Sequence, residues 1–234
     1  MSKALLQIDE LEVFYGNAQA IQGISLKVEQ GELLSLIGSN GAGKSTLFKA
    51  ICGMVQPRSG SIWLNGHDTK GLAPARITER GVAMVPEGRR LFRSLTVEEN
   101  LILGGYVGRP GPWTLKKVYE VFPILQERRG YPATSLSGGQ QQMVAIGRAL
   151  MSNPELLLLD ELSLGLAPVV IKDIYELLPR ILGEGMATIL VEQDVTRAMR
   201  VCDHLVCMLE GKISLSGHSD AFTHEQISAA YFGT

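Results

Sequence analysis

The sequence has few cysteines, no long apolar run and no excess of basic charge. The cysteines, Cys52, Cys202 and Cys207, lie at spacings unlike those of metal sites, so we expect buried thiols in a reducing compartment. No stretch approaches the roughly 18 apolar residues of a membrane-spanning helix. A formal net charge of −2 lacks the basic excess of nucleic-acid-binding domains, and no nucleic-acid partner is expected.

Other features limit the possible domain organisation of the chain. Residues 1–10 reach acidic side chains before a secretory hydrophobic core forms, so a secretory signal is not expected. We find no internal repeat and no low-complexity segment. With 234 residues, 45% of them hydrophobic and 20% charged, the composition is that of one large α/β domain or a core with a small insertion.

One glycine-rich stretch, Gly38-Ser39-Asn40-Gly41-Ala42-Gly43-Lys44-Ser45-Thr46, follows an apolar run at 33–37 that predicts a buried strand. After the stretch, apolar residues recur at helical spacing. In this context the pattern predicts a phosphate-binding loop, with Lys44 on the β- and γ-phosphates and the Ser45 hydroxyl on Mg²⁺. Glycines let the backbone close on the anion, and the helix N-terminus adds its dipole. The stretch therefore predicts a nucleoside triphosphate site.

Alternating apolar and polar residues predict antiparallel strands at 5–13, 24–28 and 60–65. Between the first two lies a turn that carries Phe14 and Tyr15. From its position alone, Tyr15 is either an ordinary turn or core aromatic or a flat surface on which an adenine stacks.

The middle of the chain is rich in predicted helix. A capping box at Thr96 and Glu99 predicts a helix to about Leu103, and the Gly- and Pro-rich residues 104–112 predict a loop. We therefore expect a helical subdomain at about 88–153, inserted into a core at about 1–87 and 154–234. Strands that alternate with helices predict a mostly parallel sheet in that core.

An apolar run at 156–159 ends in Asp160 and Glu161. The carboxyl end of a buried strand is where α/β proteins place metal and water chemistry. A helix is predicted from Ile171, and Pro179 is expected to kink it or to end its first part. A strand at 187–191, a helix capped by Asp194 and a closing hairpin complete the predicted core.

A second motif, Leu136-Ser137-Gly138-Gly139-Gln140, opens a predicted helix. Serine and two glycines at a helix N-terminus form another anion-binding corner. A single nucleotide cannot use both corners of one chain from the same side. We therefore predict a head-to-tail pair, in which Ser137 of one copy covers the γ-phosphate held by Lys44 of the other.

With its motifs in this order, the sequence resembles the ATP-binding-cassette ATPases over its whole length. The resemblance implies an α/β fold: a P-loop NTPase (RecA-like) core with a mostly parallel sheet, an N-terminal antiparallel β subdomain and an inserted helical subdomain. It implies that ATP and Mg²⁺ are the cofactors and that Tyr15 stacks on the adenine. It also implies that residues 136–140 form the signature motif, which acts on the nucleotide of the other subunit in a dimer. It also implies that Asp160 supports the Mg²⁺ shell and that Glu161 is the general base.

Four positions depart from the general pattern of that family. Glu87 stands where most relatives have a glutamine, and it offers an oxygen to Mg²⁺ with an added charge. Gln193 takes the place of the switch histidine, and it can donate to a γ-phosphate without carrying a proton charge. Ala167 replaces a common aspartate. Leu162 replaces the proline that usually follows the glutamate, a change that the sequence does not explain.

Three of these departures, together with residues 85–90, 163–168, 191–193 and 230–233, resemble the ATPases of branched-chain amino acid importers. ATPases of urea or short-amide importers share much of this pattern. The resemblance implies a peripheral subunit at the cytoplasmic face of the inner membrane. Its expected partners are a second ATPase subunit, identical or related, integral-membrane permease subunits and, indirectly, a substrate-binding protein.

Other functions stay open at this point. Cassette ATPases of DNA repair carry long coiled coils and those of translation carry two cassettes, whereas this chain has one cassette and no heptads. A nucleotide-gated module with little turnover is a third possibility, given Gln193 and Leu162. The basic residues Arg89, Arg90 and Arg93 either face a partner or acidic lipid, or belong to a solvated loop.

Overall fold

Two β-sheets organise the computed structural model, which describes residues 4–183 and 185–233. Residues 1–3 of the N-terminal segment considered above lie outside the described part. The strands are β1 (Ala4–Tyr15), β2 (Ala18–Glu29), β3 (Leu33–Gly38), β4 (Ser59–Leu64), β5 (His67–Asp68), β6 (Val82–Val85), β7 (Leu156–Asp160), β8 (Ala187–Glu192), β9 (His204–Leu209) and β10 (Lys212–His218). The helices are α1 (Lys44–Ile51), α2 (Pro74–Glu79), α3 (Val97–Gly104), α4 (Leu115–Val121), α5 (Pro123–Glu127), α6 (Gly138–Leu150), α7 (Pro168–Leu182), α8 (Val195–Val201) and α9 (His224–Phe232).

The larger sheet has the strand order β10-β9-β3-β8-β7-β6. All neighbours from β9 to β6 pair in parallel, and β10 joins antiparallel to β9. Every residue of β3, β7 and β8 is buried, as strands covered on both faces require. The prediction of a mostly parallel sheet is confirmed, and the carboxyl ends of β3, β7 and β8 meet at one edge.

The smaller sheet is antiparallel, with the strand order β2-β1-β4-β5. Its three long strands were all predicted, but β2 begins at Ala18 rather than at Ile24. Polar side chains and Gly23 break the alternation between these two residues, and the pairing of β1 with β2 shifts register four times. A period of two cannot be followed through such irregularities, so the first half of β2 was missed.

Between β6 and β7 the chain forms helices α3 to α6. Their apolar faces and one face of the larger sheet share a single hydrophobic cluster that includes Leu101, Val118, Ile146, Leu157 and Leu159. The helix-rich character of residues 88–153 is as expected, while their division from the core as a subdomain stays a prediction.

Two local expectations need correction. A 3₁₀ turn at Gly105–Val107 extends α3, so residues 104–112 are not all loop. Helix α7 does not end at Pro179 but continues through it to Leu182. Burial of Ile174, Leu178 and Ile181 along one face offsets the backbone hydrogen bond that proline lacks.

The cysteines are buried and free, as predicted. Burial raises the pKa of the Cys52 thiol to about 12 and also raises the pKa values of Cys202 and Cys207. These thiols therefore stay protonated at neutral pH and pack as small apolar side chains. Throughout the described residues, each helix is too short or too polar to traverse a bilayer.

Asn100 anchors the loop that leads from β6 to α3. Its side chain is fully buried, and its Oδ1 accepts from the backbone N–H of Phe92 at 2.9 Å. Its Nδ2 donates to the carbonyl oxygens of Phe92, Leu95 and Thr96 at 2.9–3.3 Å. One amide thus bonds to four backbone groups of a segment without regular structure.

We predict that Asn100→Ala lowers the free energy of unfolding by about 1–3 kcal/mol, because the substitution removes four hydrogen bonds of the loop and takes away the acceptor of the Phe92 N–H. Urea denaturation followed by circular dichroism measures this loss. Asn17→Ala, at an exposed turn, is the matched control and should change the free energy by less than about 0.5 kcal/mol. Equal effects of the two substitutions would contradict the anchoring role.

Candidate functional site

The loop between β3 and α1 has the backbone of a phosphate cradle. Gly38 (φ 151°) packs so closely on β9 that a Cβ there would lie 2.3 Å from the carbonyl oxygen of Met208. At Gly43 (φ 105°), a Cβ would lie 2.8 Å from the carbonyl oxygen of Ala20. Both positions therefore require glycine. Gly43 is the N-cap of α1 and makes no side-chain cap hydrogen bond, which leaves N–H groups of the first turn for an anion.

Lys44 is buried beneath this loop. Its ammonium donates to the carbonyl oxygens of Gly38 at 2.6 Å and of Ser39 at 2.9 Å. Burial lowers the pKa of Lys44, and the nearby carboxylates of Glu161 and Asp160 oppose that shift. The acids thus help a desolvated ammonium to keep its charge at the centre of the site.

An open cavity of about 450 Å³ lies over the loop. The predicted site residues that it brings together are Asn40, Gly41, Gly43, Lys44, Ser45, Thr46, Glu87, Glu161 and Gln193. Among the described residues, the predicted ones outside its lining are Tyr15, Gly38, Ser39, Ala42, Asp160, Ser137, Gly138, Gly139 and Gln140. Residues from four distant parts of the sequence therefore converge on one cavity.

Two lining residues, Ala20 and Leu164, were not predicted as site residues. Ala20 belongs to the half of β2 whose alternation is broken, so no pattern placed it near the phosphate loop. Leu164 lies three residues beyond Glu161, and only the short connection from β7 to α7 hints that its side chain returns to the cavity.

Glu161 and Gln193 face each other across the ends of β7 and β8. The Gln193 Nε2 donates to the Glu161 Oε1 at 2.9 Å and to the Asn40 Oδ1 at 3.4 Å. Glu161 has left-handed backbone (φ 50°), its N–H donates to the carbonyl of Val191, and its own carbonyl accepts from Leu164. The carboxylate is therefore held by its backbone and by an amide, in a place where it can orient a water molecule.

The environment of Asp160 is typical of a cation-binding site. Its Oδ1 is buried and has no hydrogen-bond partner. Burial, with the charges of Glu161 and Glu87 added, raises its pKa to about 6, while the Ser45 hydroxyl and the charge of Lys44 oppose the shift. An orphaned oxygen among several acids is satisfied by a divalent cation.

The donor set therefore fits Mg²⁺, with Ser45, Asp160 and Glu87 as the residues within reach. In the part of the chain that the structure describes, no three His, Cys, Asp or Glu side chains form a complete metal cage. Mg²⁺ needs none, because it usually takes one or two protein carboxylates together with water and phosphate oxygens.

Leu162, which the sequence left unexplained, is buried in the same hydrophobic cluster as Leu159 and Ile174. A proline at this position would push the preceding residue toward extended backbone. Glu161 instead has a φ of 50°. The leucine thus supplies apolar packing and leaves Glu161 free to adopt its left-handed conformation.

The Ser137 corner lies apart from the cavity. Ser137 caps α6 in a complete capping box: its hydroxyl accepts from the N–H of Gln140, and the Gln140 side chain accepts from the N–H of Ser137. Ser137 is exposed, while Gly139 packs so tightly that a Cβ there would lie 2.2 Å from Val170. Within the described residues, one copy of the chain therefore presents two separate anion corners.

Tyr15 is the last residue of β1, and its side chain is 47% exposed. The neighbouring Phe14 ring is covered by the guanidinium of Arg58 at 3.8 Å from its centroid. The Tyr15 ring is therefore not a core residue, and the interpretations left by its sequence position are a turn aromatic and a surface for the adenine. Its contact with adenine stays a prediction.

Comparisons with known proteins agree with this geometry. The family model for the ABC transporter matches residues 21–163. The chain is 44% identical to the high-affinity branched-chain amino acid transport ATP-binding protein BraG of Pseudomonas aeruginosa, over 98% of this chain and 100% of that protein. The ADP conformation of MJ1267, an ATP-binding cassette of an ABC transporter, has a TM-score of 0.82 at 26% identity and covers 99% of both chains. A dimeric bacterial ABC transporter cassette, MJ0796, has a TM-score of 0.80 at 25% identity and covers 93% of this chain and all of that one.

We predict that Gln193→His keeps ATP turnover within about threefold of the wild type, because an imidazole N–H can replace the amide as a donor to Glu161. Gln193→Leu, similar in volume but without a donor, should lower kcat about tenfold or more. Steady-state phosphate release measures both variants. Equal losses in the two would show that the hydrogen bond at this position is not what matters.

Proposed function

The chain belongs to the ABC transporter ATPase family, and on this premise we propose that it powers the import of branched-chain amino acids by hydrolysing ATP. The observation that carries the proposal is the convergence of Lys44, Glu87, Glu161 and Gln193 on one cavity above a glycine loop. Phosphoryl transfer to water requires positioning and charge neutralisation rather than covalent chemistry, and this set supplies both.

Each side chain has a distinct role in the proposed reaction. Lys44 places its charge on the β- and γ-phosphates when it exchanges the loop carbonyls for phosphate oxygens. Glu161 accepts a hydrogen bond from the attacking water and polarises it. Gln193, already bonded to Glu161, donates to the γ-phosphate and so fixes the distance between base and phosphate. Ser45, Asp160 and Glu87 would hold Mg²⁺, which would supply charge neutralisation at the phosphate oxygens.

The nucleotide-binding site is completed by a second copy or a related subunit. Ser137, at the exposed N-terminus of α6, lies outside the cavity of its own chain, which supports an action on the nucleotide of the partner. The dimeric cassette MJ0796 shows that a protein of this fold can associate in pairs. Tyr15 provides the flat surface for the adenine in this arrangement.

The loop after β6 is the proposed link to the membrane subunits. Arg148 of α6 donates to the carbonyl oxygens of Arg90 at 2.9 Å and of Arg89 at 3.1 Å. The Arg89 guanidinium lies 3.3 Å from the place of a Cβ at Gly138, so Arg89 contacts its own chain. The loop that carries Glu87 is thereby joined to the helix that carries the Ser137 corner, and the two should move together.

Exposed apolar side chains lie on the same helical part. Phe92, Ile102, Leu103 and Tyr106 are exposed apolar side chains near α3, a composition typical of protein-contact surfaces. We propose that integral-membrane subunits dock there, at the cytoplasmic face of the inner membrane, and that a substrate-binding protein acts through them.

Branched-chain amino acids are the proposed substrate class because the full-length relative at 44% identity carries that name. An importer of urea or short amides is the second candidate, favoured by the sequence pattern that the two groups share. Uptake assays in vesicles that contain the co-purified membrane subunits decide between them: labelled leucine and labelled urea are offered with ATP, and accumulation of urea alone would overturn the proposed substrate.

We predict that Glu161→Gln lowers kcat for ATP about a hundredfold or more, because an amide cannot polarise water as a carboxylate does. Nucleotide affinity should change little, because glutamine keeps the shape of the glutamate side chain. Phosphate release and nucleotide titration measure the two quantities. Glu155→Gln, a matched change at the opposite end of β7, should leave turnover near the wild-type value. A Glu161→Gln variant with normal turnover would remove Glu161 from the role of base.

We predict that Ser137→Arg, in the Glu161→Gln background, abolishes ATP-dependent dimerisation and leaves nucleotide binding by the monomer intact. A bulky cation at the exposed corner blocks the approach of a second copy but does not touch the cavity of its own chain. Sedimentation velocity with ATP and a fluorescent nucleotide titration measure the two effects, and Gln126→Arg on the surface of α5 is the control. Loss of nucleotide binding as well would argue against action across a dimer.

A further inference from the structure

A buried carboxylate that does not touch the reacting groups lies directly beside the candidate site. Glu192, the last residue of β8, is only 1% exposed and does not line the cavity. A buried carboxylate is unfavourable unless it is fully hydrogen-bonded and paired. Its presence at the strand end before Gln193 therefore calls for a physical reason.

The carboxylate joins three other elements. Its Oε1 accepts from the Tyr175 hydroxyl of α7, and its Oε2 accepts from the Ser163 hydroxyl at 2.9 Å. The Arg197 guanidinium of α8 lies 3.6 Å from the same Oε2 and also pairs with Asp194 at 3.1 Å. Burial raises the pKa of Glu192, and the donors Tyr175 and Ser163 and the charge of Arg197 oppose that shift.

These contacts close a ring around the proposed base. Ser163 lies two residues beyond Glu161, and Glu192 immediately precedes Gln193. The Ser163 hydroxyl bonds Glu192, and the Gln193 amide bonds Glu161. The backbone from 161 to 163, the Ser163–Glu192 bond, the peptide from 192 to 193 and the Gln193–Glu161 bond together form one closed circuit.

We propose that Glu192 is a positioning residue for ATP hydrolysis, which holds the Glu161 and Gln193 side chains at their working separation by tying the two strand-end loops together through Ser163. The proposal rests on the proposed function. Glu192 acts through other residues and does not touch nucleotide or water. A displacement of about 1 Å at the reacting atoms is enough to cost a large factor in rate.

A purely structural role gives a different expectation. If the network only stabilised the fold, its loss would lower the melting temperature, and the folded molecules would hydrolyse ATP at the normal rate. Positioning instead separates kcat from KM. The bond is needed in the transition state, whereas ATP is held by the phosphate loop, which meets the network only through the long bond from Gln193 to Asn40.

The test compares Ser163→Ala, Glu192→Gln and the double variant with the wild type, in the full chain. We expect kcat to fall about tenfold in each single variant, with KM for ATP within about twofold of the wild type. The double variant should lose no more than the larger single loss, because both changes break the same link.

Two matched controls separate this effect from general loss of packing. Ser214→Ala removes a hydroxyl that donates to the carbonyl oxygens of Cys207 and Ala230. Glu155→Gln alters a carboxylate bonded to Arg109 and Asn65 at the opposite end of the sheet. Both should keep kcat within about twofold of the wild type, whatever their melting temperatures.

Every outcome bears on the proposal. Normal kcat in folded Ser163→Ala would overturn the positioning role alone, and this variant decides the matter if Glu192→Gln does not fold. Losses that multiply in the double variant would also overturn it. A wild-type chain that binds ATP without turnover would overturn the proposed function and, with it, the positioning role.

Discussion

The parallel alignment of β3, β8 and β7 is the constraint on which the site depends. Because these neighbouring strands run in one direction, their carboxyl ends share an edge of the sheet, and the loops that follow them meet there. The phosphate loop follows β3 and Gln193 follows β8, while Asp160 ends β7 and Glu161 comes directly after it. No single loop contains the site, and the register of three strands sets the distances within it.

The electrostatics of this edge follow from the same crowding. Lys44 lies near Asp160 and Glu161, and Glu87 adds a further acid. Burial disfavours the charged forms of both the ammonium and the carboxylates. The free energy of the site therefore falls when a positive and a negative charge bind together. A nucleotide with its divalent cation brings such a pair: the phosphates match Lys44 and the N-terminus of α1, and the cation matches Asp160. This gives a physical basis for binding the metal and the nucleotide as one unit.

The sequence predicted much of this arrangement because short-range patterns carry it. Glycine spacing, a serine followed by two glycines at the start of a predicted helix, and an apolar run that ends in two acids are all local signals. Ala20 was missed because bulges disturb the alternation in β2. Glu192 was missed because its partners come from α7, α8 and the loop after Glu161, and no local pattern reports such a convergence. For Pro179 the sequence left two outcomes open, a kink or the end of the first part of the helix, and the second is wrong because tertiary burial outweighs a local preference.

The two anion corners differ in a way that suits an enclosure formed by two chains. The N-terminus of α1 has no side-chain cap, so its N–H groups depend on the phosphate and should dominate nucleotide affinity. The N-terminus of α6 is capped by its own Ser137 and Gln140, so it is stable in solvent and gains little by meeting a second anion. In the proposed dimer, closure against the partner would exchange one set of hydrogen bonds for another. Such an exchange leaves a small net free energy, which would make the proposed closed state readily reversible once the γ-phosphate is cleaved.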